Sequence, residues 1–177
     1  NMPQRRRKIT SKKPYEICMR AKEGLPLVAR LIIRFVIGSA VARTQRDDKV
    51  IICHDIWNGS HCHILVVTIC AEQCVKFYGE IEKRITDMLK RLLALDHLEI
   101  WEGKVTVAEI LDLNKAIDRI AYYYGNPAQD KLIDSIAEFP GFSSWYDFKK
   151  SLNKIKSEHK EQFPWIRLPS LPALSSS

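Results

Sequence analysis

Apolar and polar positions along the chain switch between a period of two and a period of three to four. Residues 15–19 alternate, which predicts a first strand. Gly24-Leu25-Pro26 opens a long helix running to about residue 46, with Pro26 in the first turn where a missing N–H is tolerated; Asp47-Asp48 ends it. Residues 49–56 and 61–69 read as the second and third strands, joined by a hairpin turn at Asn58-Gly59. Residues 71–95 form a second long helix: Cys74, Phe77, Tyr78, Ile81, Ile85, Met88, Leu89 and Leu92 recur every three or four positions, opposite Glu80, Lys83, Arg84, Asp87, Lys90 and Arg91. Residues 98–100 and 105–107 supply a fourth strand around a bend at Trp101-Glu102-Gly103. Asp112 is placed to cap a third helix that reaches about residue 124, where Gly125 and Pro127 are expected to stop it.

Strand, helix, strand, strand, helix, strand is the order of a ferredoxin-like βαββαβ α+β sandwich with an antiparallel sheet, to which the third helix is an addition. Residues 129–150 hold a short helix and the turn Phe139-Pro140-Gly141-Phe142-Ser143-Ser144-Trp145. Residues 149–160 form a basic helical tail, and the Pro/Leu/Ser-rich stretch 164–177 is extended or disordered. The chain therefore divides into a basic flexible arm (1–13), a central domain (14–146) and a tail (147–177), with no internal repeat.

The 177 residues suit one domain with a real core plus appendages, and 46 % apolar residues exclude a disordered chain. A formal charge of +7 favours a polyanionic partner, nucleic acid first. Asn1 ahead of Met2 reads as an addition to a native start at Met2. The five cysteines, 18, 53, 62, 70 and 74, are odd in number with no secretory signal ahead of them, so reduced thiols and a cytoplasmic location are expected. Residues 31–42 are strongly apolar but punctuated by arginines and shorter than the roughly 20 residues of a membrane span, which predicts a buried helix and no membrane.

The chemistry concentrates at His61-Cys62-His63. On a strand the two histidines share a face, with apolar residues following, and two adjacent imidazoles hold one metal ion if a third ligand arrives from elsewhere. Histidines that merely sit on a strand have the same spacing; what adds chemical weight is Tyr122-Tyr123-Tyr124-Gly125-Asn126-Pro127 further along. Leu113, Ile117, Ile120, Ala121 and Tyr124 form the apolar stripe of the third helix by spacing, which assigns Tyr124 to the core. Tyr122, one turn beyond Asp118, falls on the more polar side and is the tyrosine selected for the site, with Tyr123 as the alternative. Asn126 lies one turn after Tyr122; it either faces the same ion or caps the helix. A zinc site from Cys53, His54, Cys62, Cys70 and Cys74 lacks a second ligand pair, and Cys62 points away from the histidines, so core thiols are expected.

His61-x-His63, Tyr122 and Asn126-Pro127, followed by Leu132-Ile133 and Phe139-Pro140-Gly141-Phe142-Ser143-Ser144, together resemble the REP-associated tyrosine transposase branch of the single-tyrosine HUH transposases. Pro14-Tyr15-Glu16-Ile17 and Trp101-Glu102-Gly103 fit the same pattern, and the match spans roughly residues 14–146. Gly59-Ser60 stands where that branch often has Pro-Asn or Pro-Glu, which alters the turn but not the ligands. The resemblance implies a ferredoxin-like fold and DNA strand cleavage and joining. It implies Mg²⁺ or Mn²⁺ held by His61, His63 and Asn126, and Tyr122 as nucleophile, leaving a 5′-phosphotyrosine and a free 3′-OH on single-stranded or hairpin DNA. A tyrosine nucleophile suits this because it conserves the phosphodiester bond energy, so rejoining needs no ATP.

For DNA contact the candidates are Arg5, Arg6, Arg7, Lys8, Lys12 and Lys13 in the arm, and Lys149, Lys150, Lys154 and Lys156 in the tail. Trp101 and Trp145 either stack on bases or pack in the core. Two other readings stand beside the transposase: a domesticated DNA-binding protein that keeps the fold without cleavage, and an unrelated α+β metal enzyme, favoured if Tyr122 lies far from the histidines. Monomer and homodimer are both compatible.

Overall fold

The alternation on the strands sorts side chains onto two faces of one sheet, and the helices divide between those faces. The computed structural model describes residues 12–22, 31–129 and 133–158. Its elements are β1 (Lys13–Arg20), α1 (Leu31–Asp48), β2 (Ile51–Trp57), β3 (His61–Thr68), α2 (Ala71–Leu93), β4 (Thr106–Glu109), α3 (Leu113–Gln129), a 3₁₀ turn at Ile136–Glu138 and α4 (Trp145–Glu158). The sheet is antiparallel with strand order β2-β3-β1-β4, the order of the predicted ferredoxin-like sandwich.

One face is covered by α1 and α2. Ile17 and Met19 of β1 and Cys62, Ile64 and Val66 of β3 meet Val36, Ile37 and Ala40 of α1 and Cys74, Phe77, Ile81 and Ile85 of α2 in the main core. Each helix presents a three-to-four-residue stripe to a strand face of period two, so burial on this side follows from sequence spacing. The opposite face carries Glu16, Cys18, His63 and Leu65, paired across β1 and β3 as Glu16↔Leu65 and Cys18↔His63. Here a smaller core of Ile56, Leu65, Ile110, Tyr123 and Phe139 is closed by Ala116 and Ile120 of α3.

Three local expectations change. The helix predicted to end near Gly125 continues through Pro127 to Gln129. Pro127 removes one hydrogen bond only from the last turn, and burial of Tyr123, Tyr124, Asn126 and Pro127 on the inner side holds that turn together. The predicted stripe is also rotated: Leu113 is 73 % and Ile117 52 % exposed, while Ala116, Ile120 and Tyr123 face the core. The fourth strand is confined to Thr106–Glu109; Ile100 and Trp101 only bridge the end of β1, through the Lys22 N–H to the Ile100 carbonyl and the pairing of Ala21 with Trp101. Other features stand. The Asp112 carboxylate accepts from the Lys115 N–H at 2.8 Å, the predicted N-cap. The bend at Gly103 uses positive φ, whereas the hairpin at Asn58-Gly59 does not.

After the 3₁₀ turn the chain runs along the free edge of β2. The Trp57 N–H donates to the Phe142 carbonyl and the Ser144 N–H to the Asp55 carbonyl, with Ser143 bridged to Ile56. Gly141 is required by this close approach, because a Cβ there would lie 2.5 Å from the Phe139 ring and 3.0 Å from the Trp57 carbonyl oxygen. The structure divides into two compact units, one ending at Trp145 and the other beginning at Tyr146. Among the described residues no helix is long and apolar enough to cross a membrane, and none of the five cysteines is in a disulfide. Only Cys62 and Cys74 are buried; Cys53 is exposed, and Cys18 and Cys70 are partly covered, so the expected set of core thiols reduces to two.

Candidate active site

β3 delivers His61 and His63 to the α3 side of the sheet, because residues two apart on a strand share a face. Their ring centroids are 5.2 Å apart and nearly perpendicular. The extension of α3 places residues 119, 122, 123 and 126 along the side of the helix that meets them. The Tyr122 ring lies 5.4 Å from the His63 ring, edge to face. Asn126 Nδ2 donates to His61 Nε2 at 3.2 Å. The four residues that sequence spacing singled out, 60 positions apart in the chain, are therefore neighbours.

The three consecutive tyrosines have three environments. Tyr122 is 38 % exposed, so its ring reaches solvent beside the histidines. Tyr123 is fully buried and stacks on His63, with centroids 5.2 Å apart and planes inclined by 25°. Burial, reinforced by nearby Glu16, drives its hydroxyl far above the ordinary phenol range. Tyr124 is buried as expected, but in a polar setting. Its hydroxyl meets His54 Nδ1 at 2.7 Å and Ser144 Oγ at 3.2 Å, and Ser144 Oγ also donates to the Asp55 carbonyl. Burial, opposed by Ser144 and aided by Asp55, pushes the Tyr124 hydroxyl up to about 12.

His63 has a partner that sequence reading did not assign. Its Nδ1 is 3.2 Å from Glu16 Oε1 on β1, and the other carboxylate oxygen, Oε2, receives Arg119 Nε of α3 at 3.3 Å. Burial opposes charge on the imidazole, but contacts with Cys18 and Glu16 outweigh it and push His63 up to about 9. Burial likewise opposes charge on Glu16, yet His63 and Arg119 together hold its carboxyl below the usual range. The only signal in the sequence was a carboxylate in the middle of an otherwise apolar strand; its partners come from β3 and α3.

His63 Nε2 is buried and has no hydrogen-bond partner among the described residues. A buried ring nitrogen left open in this way costs free energy unless something occupies the position. Among the described residues no group of three or more His, Cys, Asp or Glu is placed to hold a metal ion. The side-chain amide that meets the histidine pair is that of Asn126, through its contact with His61.

The remaining candidates lie elsewhere. Arg5, Arg6, Arg7 and Lys8 are outside the described residues. Lys12 is exposed, and Lys13 is exposed but paired with Glu109 at 2.7 Å. Lys149 and Lys150 are exposed on α4 in the second unit; the Lys156 side chain lies outside the described residues. Trp101 is structural: it packs against the main core and its indole N–H lies 3.2 Å from both the Glu82 carbonyl and Thr86 Oγ1. Trp145 lies edge-on to Tyr124 with centroids 4.9 Å apart.

No protein-family model and no curated protein sequence matches the chain. Among solved structures it is similar to a REP-associated tyrosine transposase bound to a REP hairpin. That match has a TM-score of 0.64 and 16 % identity, over 82 % of this chain and 84 % of the other. A Deinococcus radiodurans R1 protein provisionally assigned as a transposase aligns with a TM-score of 0.48 and 14 % identity, over 71 % of this chain and 97 % of the other. The first of these likenesses establishes that the chain shares the α+β fold of the REP-associated enzyme.

Proposed function

We propose that this protein is a single-tyrosine HUH transposase that nicks and rejoins single-stranded, hairpin-forming DNA. The observation that carries the reading is the convergence of an exposed Tyr122, the His61–His63 pair and Asn126 on one face of a sheet whose fold is that of a REP-associated tyrosine transposase. Tyr122 attacks the scissile phosphorus: a Tyr122 O–P bond forms, the P–O3′ bond breaks, and the phenolic proton is accounted for on the departing 3′-OH. The 5′-phosphotyrosine is a phosphodiester of similar energy, so attack by a 3′-OH on it restores the strand and returns the proton to Tyr122. Tyr122 is carried on a helix already docked beside the histidines, which lowers the entropic cost of bringing nucleophile and phosphate together.

His61, His63 and Asn126 are the residues that would hold a divalent cation, Asn126 through its amide oxygen. The unpartnered, buried Nε2 of His63 fits that role once the incoming ion displaces its proton, and two imidazoles, neutral when ligating, with one amide suit Mn²⁺ at least as well as Mg²⁺. When bound, such an ion offsets charge on the scissile phosphate. The net charge of +7 and the exposed lysines at 12, 149 and 150 suit a phosphate backbone, with the arginines at 5–7 and Lys8 as further candidates.

The test is incubation with a labelled single-stranded hairpin library and Mn²⁺, resolved on a denaturing gel beside Tyr122→Phe. A covalent protein–DNA band that disappears in the variant is the expected result. A band retained in the variant moves the nucleophile away from Tyr122. A salt-sensitive shift on a native gel with no covalent band makes the protein a DNA-binding derivative of the fold.

A further inference from the structure

Glu16 is one of the few charged side chains buried on the sheet, at 8 % exposure, and it joins β1 to both β3 and α3 through polar contacts. A buried carboxylate is costly unless both oxygens are satisfied. Here the two oxygens are satisfied by different elements: Oε1 by His63 Nδ1 on β3, Oε2 by Arg119 Nε on α3. Arg119 sits one turn ahead of Tyr122 and Tyr123 on the same helix. Tyr123 lies flat against the other side of the His63 ring environment, stacked at 5.2 Å. The imidazole is thus held by its Nδ1 edge and by its face, and its Nε2 is left buried with no hydrogen-bond partner among the described residues.

We propose that Glu16 is a positioning residue that locks the His63 imidazole and the tyrosine helix α3 into one register. This rests on the function proposed above for the role it gives Nε2. The geometry says why one carboxylate serves both. If α3 shifts, Arg119 leaves Oε2 and a buried anion loses half its compensation. If His63 turns, Nδ1 leaves Oε1 with the same penalty. The arrangement seen, with Tyr122 beside the His63 ring, satisfies both oxygens at once. The tether acts where the first half of the helix has a narrow apolar contact: Leu113 and Ile117 face solvent, and only Ala116 and Ile120 pack ahead of the buried Tyr123 and Tyr124. An oriented ring nitrogen hydrogen-bonded on its far side is what a ligating histidine requires, and loss of that second contact lowers metal affinity about 10- to 100-fold in such sites.

The test uses the full chain, free of metal, with ¹⁵N-labelled histidine. A slowly exchanging His63 Nδ1–H resonance, assigned by its absence in His63→Gln, is expected in the wild type and is expected to vanish in Glu16→Ala. Arg119→Met removes the tether at a half-exposed site that tolerates an unbranched side chain, so it reports even if Glu16→Ala does not fold; the His63 resonance is expected to move and to exchange faster. Titration with Mn²⁺ alone is expected to show about 10- to 100-fold weaker binding in Glu16→Ala than in the wild type. A wild type without the protected resonance, a resonance unmoved by both variants, or equal Mn²⁺ affinity in wild type and Glu16→Ala overturns the proposal. A protected, Glu16-dependent resonance in a wild type that does not bind Mn²⁺ supports the positioning role and refutes the metal instead.

Discussion

The two faces of the sheet are made from the same four strands and are put to opposite uses. On the α1/α2 face, Ile17, Met19, Cys62, Ile64 and Val66 meet two helices along long apolar stripes, and the hydrophobic effect alone accounts for the packing. On the α3 face, the same strands present Glu16, Cys18, His54, His61 and His63, and one helix covers them with a narrow apolar strip and three tyrosines. Buried polar groups there are held by specific partners: His54 by Tyr124, His63 by Glu16, Glu16 by Arg119. Stability and chemistry are segregated between the two faces: the dry core is held by close packing of apolar side chains, whereas the polar face is rigid only when each hydrogen-bonding partner is in place.

That contrast can be broken first at the chemistry. Tyr122→Phe is expected to abolish the covalent DNA adduct entirely while leaving the unfolding free energy from urea titration within about 0.5 kcal/mol of wild type, since the residue is partly exposed; a large loss of stability would mean that the tyrosine also serves the core. On the dry face, Ile81→Ala removes a fully buried side chain. It is expected to cost about 2–5 kcal/mol by chemical denaturation, with nicking of DNA by the folded fraction unchanged.

Tyr124→Phe sharpens the comparison in a different way, since shape is kept and only hydroxyl contacts to His54 and Ser144 are lost. Leaving a buried donor or acceptor unmet costs about 1–3 kcal/mol. It should also alter the response to alkali. A tyrosine whose folded-state pKa is raised from 10.0 to about 12 keeps its proton in the folded protein while the unfolded chain loses it. The unfolded state then binds fewer protons, so stability falls as pH rises between those two values. Thermal melts across that range are expected to show a shallower decline in Tyr124→Phe; the decline that remains reflects the hydroxyls of Tyr123 and Tyr15 and the thiols of Cys62, Cys53 and Cys74, all of which burial also pushes up. The smallest effect is expected from Ile117→Lys. Sequence spacing puts this residue in the core, yet its exposure limits the change to about 0.5 kcal/mol; a cost several times larger would restore the predicted stripe.

Much of the architecture was legible because it is written locally. Alternation on residues 15–19 and 61–69, the helical periodicity from Cys74 to Leu89, the Asp112 cap and the hairpin at Asn58-Gly59 each depend on a few neighbouring residues, and each reappears in the structure, while Leu92, expected on the same stripe, is 53 % exposed. The shared face of His61 and His63, and the placement of Asn126 one turn after Tyr122, follow from the periods of a strand and a helix. The reading of α3 went astray where local rules compete. Gly125 and Pro127 argue for a stop, and Leu113 and Ile117 for a core stripe; contact with the sheet overrode both by burying Tyr123, Tyr124, Asn126 and Pro127.

The sequence by itself determined the order of elements, the antiparallel α+β class and which residues share a face, because these are consequences of backbone period and propensity within short windows. Only the tertiary structure decided that Glu16 serves His63 across 47 positions, that His54 meets Tyr124 across 70, and that Asn126 meets His61 across 65. Those partners are chosen by strand register and helix docking, where the cost of an unpaired buried polar group selects one arrangement among many that spacing alone allows.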